Sequence, residues 1–280
     1  MNILVTGGAG FIGTNLIKRL KKEGHNVVSV DNYSTGKKEN HIENVNYIEL
    51  DVSSFNEYDR LGQFDLVYHL AAIARIQPSF QRPDEYFQTN CYGTLKLAHY
   101  CSNKNIPLVY AGSSSHHSGR FKNPYTFSKD IGEEIIVLFQ THYNLKASIT
   151  RFYNVYGPNQ LTEGNYSTVI GKWIKRKEKN LPLIIFGDGS KRRDFTHVDD
   201  IIEALILIPE KSAWGELFEL GTGKNCSILE VAKMFDHPYI FESDKPGEAF
   251  ETLCISAAAR TRLGWTANKT LENYIQEYFK

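Results

Sequence analysis

The sequence predicts an α/β fold with a doubly wound parallel sheet in the first half of the chain. Short runs rich in β-branched and aromatic residues alternate there with longer amphipathic segments. Near-continuous apolar runs of this kind are typical of strands that are buried on both faces of a parallel sheet. The alternation of strand and helix is typical of doubly wound folds. Strands are predicted at residues 2–6, 27–31, 47–51, 65–71, 108–112 and 147–152.

Helices are predicted in the segments between these strands. In residues 12–23 the apolar side chains fall on one helical face, and Gly24 follows as a stop signal. Segments 84–103 and 126–143 have the same amphipathic character. These helices complete the strand–helix alternation on which the predicted fold rests.

The regular alternation of predicted strands and helices changes after about residue 155. The segments beyond it are predicted as helix, strand, helix, strand, helix and helix, at 166–179, 183–186, 199–208, 217–220, 228–235 and 269–279. No long tract of proline, glycine or serine separates the two regions. We therefore expect a first domain over residues 1–155, which also receives about 186–210, and a smaller mixed α/β domain over 156–280.

Composition argues against several classes of protein. The 32 Lys and Arg residues balance 32 Asp and Glu residues, and a neutral chain lacks the positive charge that non-specific nucleic-acid binding requires. No run reaches the roughly 18 apolar residues that a membrane-spanning helix needs. The four cysteines match no zinc or redox spacing, and the N-terminal residues enter a strand without a signal-peptide pattern. We expect a cytoplasmic protein that binds no metal, no nucleic acid and no membrane.

A glycine-rich turn joins the first strand to the first helix. It reads GGAGFIG, the pattern G-x-x-G-x-x-G. Gly7 allows the tight turn, Gly10 lets the backbone approach a pyrophosphate, and Gly13 lets the helix pack close to the sheet. The amides at the start of the helix, at Phe11 and Ile12, would face the anion. Motif and context together predict a dinucleotide site.

The residue at the end of the second strand indicates which dinucleotide binds. Asp31 stands 18 residues after Gly13, where a carboxylate can accept a hydrogen bond from a ribose hydroxyl. The same carboxylate would repel a 2′-phosphate, and no arginine follows it immediately. The pattern therefore favours NAD over NADP and makes the first domain a Rossmann domain.

The glycine spacing resembles that of the extended short-chain dehydrogenase/reductase superfamily, and further residues strengthen the resemblance. It implies contacts to the cofactor from the residues that follow Asp31, from the end of the third strand, from the wall after the fourth strand, and from an asparagine on the next helix. These residues are Asn32, Ser34, Thr35, Gly36, Asp51, Val52, Leu70, Ala71, Ala72 and Asn90.

The motif Y-x-x-x-K begins a predicted helix. Residues four apart share a helical face, so the ammonium of Lys129 is expected near the phenol of Tyr125. A nearby cation favours phenolate and would lower a phenol pKa that is ordinarily near 10. Tyr125 is thus a candidate acid and base, and both side chains would also border the cofactor.

Three serines follow the fifth strand, at the sheet edge where cofactor and substrate meet. A hydroxyl there can both donate and accept a hydrogen bond to a reacting sugar oxygen. Ser113 is the first candidate, counted from the strand, and Ser114 the second. We interpret His116 and His117, which come next, as loop or substrate-rim residues.

The resemblance narrows to nucleotide-sugar 4-epimerases of the UDP-glucose and UDP-N-acetylglucosamine type, and it covers nearly the whole chain. It rests on the runs DNYSTG, RFYNVYGP, FGDG and, most specifically, RRDFTHVDD. By this resemblance, Asn154 contacts the diphosphate region and Arg193 the phosphates, and a guanidinium fork suits phosphate. Family dehydratases carry Thr-Asp-Glu after the fifth strand, whereas this chain has SSSHH, which disfavours dehydration and the related decarboxylation.

The sequence also departs from this resemblance. Only 12 residues separate Ser113 from Tyr125, about half the family's usual spacing, so the loop over the site is cut short. Lys245 stands where the family commonly has arginine and would give phosphate a point charge rather than a fork. Glu248 could accept from a ribose hydroxyl. Thr252 aligns with the gate beside the sugar 2-position, where a small residue would admit an N-acetyl group.

The resemblance implies transient oxidation of the sugar at C4 to a 4-keto intermediate, with hydride passing to and from NAD. Tyr125 would take the proton from the 4-hydroxyl while Arg193 anchors the diphosphate. Two alternatives stay open: a 4-keto-sugar reductase with the same residues, and an NAD-binding regulatory protein without chemistry. The base and the sugar also stay open. A homodimer is expected by resemblance, through the helices near 84–103 and 126–143.

Overall fold

A computed structural model describes residues 1–54 and 60–280. Its strands are β1 (Asn2–Thr6), β2 (Asn26–Asp31), β3 (Asn46–Glu49), β4 (Leu66–His69), β5 (Leu108–Ser113), β6 (Ala147–Phe152), β7 (Leu183–Phe186), β8 (Arg192–Asp194), β9 (Leu217–Leu220), β10 (Asn225–Ser227) and β11 (Tyr239–Glu242). Seven of them form one parallel sheet in the order β3-β2-β1-β4-β5-β6-β9. The predicted doubly wound sheet is confirmed.

Helices cover both faces of this sheet. The helices of the described residues are α1 (Phe11–Lys22), α2 (Ile76–Gln81), α3 (Pro83–Tyr86), α4 (Thr94–Lys104), α5 (Pro124–Tyr143), α6 (Val169–Glu178), α7 (Val198–Glu210), α8 (Ile228–Met234) and α9 (Leu271–Tyr278). Leu16 of α1 and Leu205 of α7 belong to the core on one face. Leu97 of α4 and Ile136 of α5 belong to the core on the other.

The single helix predicted over 84–103 is interrupted. A π-helical turn at Phe87–Gly93 separates α3 from α4. At its end, a Cβ on Gly93 would lie 2.7 Å from Cγ2 of Val52, so this turn packs tightly on the segment after β3. A long-range contact of this kind leaves no mark on helical periodicity, which is why the pattern predicted one continuous helix.

The C-terminal half joins the core that contains α1 and also builds a third core. α7 packs with α1, and β9 extends the main sheet beside β6. The other C-terminal elements enclose a separate core around Trp173 and Phe235. Beside this core, β7 pairs in parallel with β11, and β8 pairs antiparallel with β10. α7 lies within the range 186–210 that was expected to join the first domain, and the exact division into domains stays a prediction.

Two further observations concern the residues that the structure describes. No helix among them is both long enough and apolar enough to cross a membrane. All four cysteines are free thiols.

Candidate active site

The glycine-rich turn lies where the strand order of the main sheet reverses, between β1 and β4. Gly7 has φ of +74°, and a Cβ on it would lie 2.8 Å from the amide nitrogen of Ala71, just after β4. A Cβ on Gly13 would lie 2.1 Å from the carbonyl oxygen of Gly7. In open α/β sheets, ligands bind in the crevice at such a switch point. The two glycines let three stretches of backbone meet at that crevice.

The first turn of α1 presents backbone amides at the same crevice. Gly10 precedes the helix, and no side chain among the described residues caps the amides that follow, including those of Phe11 and Ile12. An uncapped helix N-terminus carries a partial positive charge and free donors, which suit a phosphate. The loop therefore fits the pyrophosphate of a dinucleotide.

Asp31 ends β2 beside this loop and is only 7% exposed. Its carboxylate accepts hydrogen bonds from the amides of Ala9, at 2.9 Å, and Tyr33, at 2.8 Å. Burial raises the pKa of Asp31, and these two hydrogen bonds oppose the rise. Gly36 lies against the carboxylate, because a Cβ there would be 2.8 Å from Oδ1.

The neighbouring predicted residues form a hydrogen-bonded rim. Asn32 donates to Asp51 at 2.6 Å, and the amide of Ser34 donates to Asn32 at 3.0 Å. Burial would raise the pKa of Asp51, but hydrogen bonds from Ser53 and Asn32 outweigh it, so the pKa is lowered. Asp51 is thus held ionised close to the loop that carries Ser34 and Thr35.

The segment after β4 is fixed from behind. The amides of Leu70 and Ala71 both donate to Thr6 at 3.2 Å, to its carbonyl and hydroxyl oxygens respectively. His69 lies between the hydroxyls of Thr6 and Thr94, at 2.7 and 3.1 Å. Burial lowers the pKa of His69 to about 3, so the ring is neutral. The wall that continues to Ala72 therefore rests on a neutral buried network.

Asn90 is buried and its amide bonds other protein groups, so its assignment as a cofactor-binding residue stays a prediction. Its amide oxygen accepts from the backbone of Ile73 at 2.9 Å, and its amide nitrogen donates to the Ile73 carbonyl at 3.0 Å and to Ser128 at 2.9 Å. Val52 is similarly buried, under Gly93. Asn90 positions the segment after β4.

The candidate catalytic pair lies at the carboxyl end of β5. The phenol of Tyr125 donates to the hydroxyl of Ser113 at 3.1 Å. Asn123 caps α5 by accepting from the amide of Thr126 at 2.8 Å, which places Tyr125 in the first helical turn. The structure thus brings Ser113, and not Ser114, to the phenol, in agreement with the count from the strand.

Lys129 lies one turn along α5, but its ammonium is engaged elsewhere. It donates to the carbonyl oxygen of Ala111 at 2.7 Å and lies 4.5 Å from the centre of the Tyr110 ring. Burial lowers the pKa of Lys129 to about 8.

The pKa of Tyr125 does not follow the sequence-based expectation. Burial raises it, and the hydrogen bond with Ser113 and the charge of Arg75 oppose the rise. The expectation that Lys129 would be the cation that depresses the phenol pKa is therefore wrong. The spacing placed the lysine on the correct helical face, but the direction of its ammonium is set by Ala111, which is far away in sequence.

A buried network of ion pairs lies next to Ser113 and Tyr125. Arg151 on β6 contacts the carboxylate of Glu133 at 2.6 Å and that of Glu219 at 3.3 Å. Glu219 also bonds the imidazole of His117, and Asp130 bonds that of His116 at 2.9 Å. The two histidines therefore tie the short turn at Ser114–Ser118 to buried carboxylates, while their side chains stay about half exposed.

The predicted substrate residues meet across the C-terminal half. Asn154, with φ of +32°, donates to the carbonyl of Asp194 at 2.8 Å and to the hydroxyl of Thr252 at 3.0 Å. Arg193 lies 3.5 Å from the carboxylate of Glu248. Burial lowers the pKa of Arg193, and the charge of Glu248 opposes that effect.

The segment that carries Lys245 and Glu248 is fastened to the first half of the chain. Asn123, the cap of α5, donates to the carbonyl of Gly247 at 3.3 Å, and Gln77 donates to that of Pro246 at 2.8 Å. Lys245 itself lies 3.6 Å from the centre of the Phe186 ring. The candidate phosphate site therefore packs beside the N-terminal end of α5, which carries Tyr125, and we call the space between them the cleft.

Comparisons with known proteins agree with this geometry. Residues 3–221 match the model of the NAD-dependent epimerase/dehydratase family. The chain belongs to this family.

Individual members of the family differ in reaction. The chain is 31% identical to a UDP-N-acetyl-alpha-D-glucosaminuronate decarboxylase of Bacillus cytotoxicus, over 82% of this chain and 78% of that protein. It is also similar to the UDP-glucose 4-epimerase of Thermotoga maritima solved with UDP-glucose, with a TM-score of 0.94, 30% identity, and coverage of 100% of this chain and 98% of that one. A third is the UDP-glucuronic acid 4-epimerase of Bacillus cereus solved with UDP-glucuronic acid and NAD, with a TM-score of 0.89, 29% identity and coverage of 100% and 98%.

Two cations of this family member were missed by the sequence reasoning. Lys172 on α6 has its pKa lowered by burial and by the charges of Lys245 and Arg75, with Glu248 opposing. Arg75, just before α2, has φ of +97°. Neither residue lies in a run that resembles a motif. The available sequence signal for a role at the site was that Arg75 closely follows Leu70–Ala72, the segment after β4.

Proposed function

We propose that the protein is an NAD-dependent nucleotide-sugar 4-epimerase that acts on a UDP-hexose or a related UDP-sugar. The observation that carries this proposal is the hydrogen bond between Tyr125 and Ser113 at the carboxyl end of the sheet. In this arrangement the phenol of Tyr125, a candidate acid and base, lies between the dinucleotide crevice and a cluster of cations. Relatives that are 4-epimerases of UDP-sugars support the same assignment.

NAD fits the residues of the crevice. Gly7, Gly10 and Gly13, with the amides of Phe11 and Ile12, would hold the pyrophosphate, and Asp31 would accept from a ribose hydroxyl. Asp51 and the rim around Asn32 and Gly36 would line the adenosine end. When bound, NAD supplies reversible acceptance of hydride from C4 of the sugar. In this arrangement residues 1–155 serve the cofactor, and residues 156–280 serve chiefly the nucleotide sugar.

The diphosphate of the substrate would be held on the opposite side of the cleft. Arg193 offers a fork that matches phosphate oxygens, and Lys245 adds a point charge. Asn154 and Thr252, already joined by a hydrogen bond, would border the diphosphate and the sugar. Glu248 is placed to accept from a hydroxyl. Because these contacts lie far from the reacting carbon, they can provide binding energy while the hexose turns.

Tyr125 and Ser113 perform the proton chemistry in this proposal. Tyr125 acts in its phenolate form, which the hydrogen bond with Ser113 and the charge of Arg75 favour against burial. The phenolate takes the proton of the sugar 4-hydroxyl as the 4-keto sugar forms, and the phenol returns it after the sugar has turned. Ser113 holds the oxygen by donating and accepting hydrogen bonds. Lys129 donates a hydrogen bond to the Ala111 carbonyl and so fixes α5 against β5 beneath the reacting groups. Elimination of water would require an additional acid–base carboxylate, and the residues after β5 are hydroxyls and imidazoles.

We also propose a homodimer formed through the π-helical turn, α4 and α5. Apolar side chains are exposed along this face, among them Phe87, Tyr92, Leu95, Val137 and Leu138. Exposed apolar patches of this kind commonly mark protein interfaces. Sedimentation equilibrium is expected to give a dimer, and a monomer at all concentrations would contradict it.

A panel of UDP-sugars tests the proposed function. Incubation with NAD is expected to convert one of them to its 4-epimer without net consumption of the cofactor, as followed by chromatography. Steady oxidation of NADH that depends on a keto-sugar would show a reductase instead, and release of carbon dioxide would show a decarboxylase. NAD binding without thermal protection by any nucleotide sugar would favour a non-catalytic role.

A further inference from the structure

Arg75 is held in a strained position beside the catalytic pair. Its backbone has φ of +97° and ψ of 137°, a conformation that side-chain-bearing residues rarely adopt. Strain of this kind persists where surrounding contacts enforce it and is concentrated at functional sites. The enforcing contact is Tyr86, whose phenol donates to the carbonyl of Arg75 at 2.8 Å and whose ring lies edge-on to that of Tyr125, 6.2 Å between centres.

The side chain of Arg75 is fixed but not neutralised. Its Nε donates to the carbonyl of Tyr166 at 2.8 Å, which leaves the two terminal nitrogens of the guanidinium. Among residues 1–54 and 60–280, no carboxylate forms an ion pair with Arg75. The ionisable groups that act on it and raise its pKa are the phenols of Tyr125 and Tyr86, while burial lowers it. A partly buried cation without a counter-ion indicates that an anion arrives with the ligand.

The position of Arg75 identifies which part of the ligand it would meet. It acts electrostatically on Tyr125 on one side and on Lys172 on the other. The proposed function puts C4 of the sugar at Tyr125 and the diphosphate at Arg193 and Lys245. The hexose itself must then pass Arg75, which lies between these two ends.

The balance of charge in the cleft supports an additional anion. Arg75, Lys172, Arg193 and Lys245 are cationic, and Glu248 is the carboxylate among them. Asp244, which also lies near Arg193, is paired with Lys191. A diphosphate with roughly one negative charge per phosphate leaves one cation of this group uncompensated. Of these four cations, Arg75 is the one whose charge acts on the phenol of Tyr125.

We propose that Arg75 is a specificity-determining residue that binds a carboxylate on the hexose, so that the substrate is a nucleoside-diphosphate hexuronate. A guanidinium with two free terminal nitrogens matches a carboxylate in a bidentate fork. The same contact would keep the charge of the acid from acting on Tyr125. This inference rests on the proposed function, because it uses the placement of the hexose in the cleft.

Ligand binding tests the inference without turnover. In a Tyr125→Phe background, calorimetric titration is expected to show tighter binding of UDP-glucuronate than of UDP-glucose, by about tenfold to a hundredfold for a charged pair. Arg75→Gly should remove that preference, because glycine accepts the backbone conformation while the charge is lost. Arg75→Lys should retain part of it. Arg262→Met, at an exposed ion pair with Glu216, is the matched control and should leave both affinities unchanged.

Three outcomes would overturn the inference: equal affinity for the two ligands in the parent, tighter binding of UDP-glucose, or a preference that survives in Arg75→Gly. Thermal unfolding of that variant, expected at or above the parent temperature, separates loss of the charge from loss of the fold. Turnover of the wild-type protein separates the two proposals. Epimerisation of UDP-glucose without a preference for UDP-glucuronate would contradict the inference alone. Release of carbon dioxide from UDP-glucuronate would support the carboxylate contact and contradict the epimerase.

Discussion

The two sides of the cleft are built on different principles. On the cofactor side, main-chain segments pack directly against each other, since a Cβ on Gly7 or Gly13 would collide with main-chain atoms. The buried side chain of His69 on this side is neutral. On the substrate side, cations converge, and the charges of Lys245 and Arg75 lower the pKa of Lys172. The first site is complete in the protein alone. The second carries more cations than carboxylates, so we expect an anion to bind there and balance the charge.

The largest difference is expected when backbone contacts of the cofactor side are disturbed. Gly13→Ala places a methyl group 2.1 Å from the Gly7 carbonyl, so the loop must move. We expect a loss of about 3 kcal/mol in the free energy of unfolding, at the upper end of overpacking effects, together with loss of NAD binding. Gly10→Ala, with 3.2 Å to the same oxygen, should keep most of the stability. Denaturant unfolding and NAD titration measure both, and an unchanged Gly13→Ala protein would refute the comparison.

Lys129 should show a pH effect on stability. Its pKa is lowered to about 8 in the fold from a usual 10.5, so between these values the unfolded chain binds more protons. The free energy of unfolding should therefore rise with pH from about 8 to 10.5, by up to about 3 kcal/mol at 1.4 kcal/mol per pKa unit. Lys129→Met should lack this rise when unfolding is measured across the same range. An identical slope in both proteins would contradict the assignment.

Substitutions on the substrate side should change the affinity for the nucleotide sugar and not the affinity for NAD. Arg193→Met should weaken binding of a UDP-sugar about tenfold to a hundredfold, because the guanidinium gives charge-assisted hydrogen bonds. Lys245→Met should cost less, about threefold to tenfold, since an ammonium is a point charge. NAD affinity should stay the same in both. If Arg193→Met weakened NAD and the nucleotide sugar equally, the division between the two sides would be wrong.

The arrangement of the glycine-rich turn and Asp31 could be predicted from the sequence because its signals are local. The turn GGAGFIG and Asp31 are short patterns joined to strands, and the structure places them together as expected. Tyr125 and Ser113 were found because each follows a recognisable element. What was missed depends on contacts between distant segments: Lys129 bonds Ala111, Asn90 bonds Ile73, and neither partner is visible in periodicity.

Arg75 shows the same limit most clearly. Its significance comes from a strained backbone, from Tyr86 and Tyr166, and from the absence of a carboxylate partner among the described residues. None of these features is encoded in neighbouring residues. The short strands β8, β10 and β11 were likewise missed. β8 is charged, and β8 and β10 have only three residues each, too few for a pattern of alternation.

The measurement that bears most directly on the central claim is the turnover of Tyr125→Phe. In the proposed reaction the phenol exchanges a proton with the sugar 4-hydroxyl, and general acid–base catalysis is worth roughly a hundredfold to ten-thousandfold. The account predicts a fall in 4-epimerisation of about a thousandfold within that range, while NAD and the UDP-sugar bind as tightly as before. Near-normal turnover with a phenylalanine at this position would contradict it.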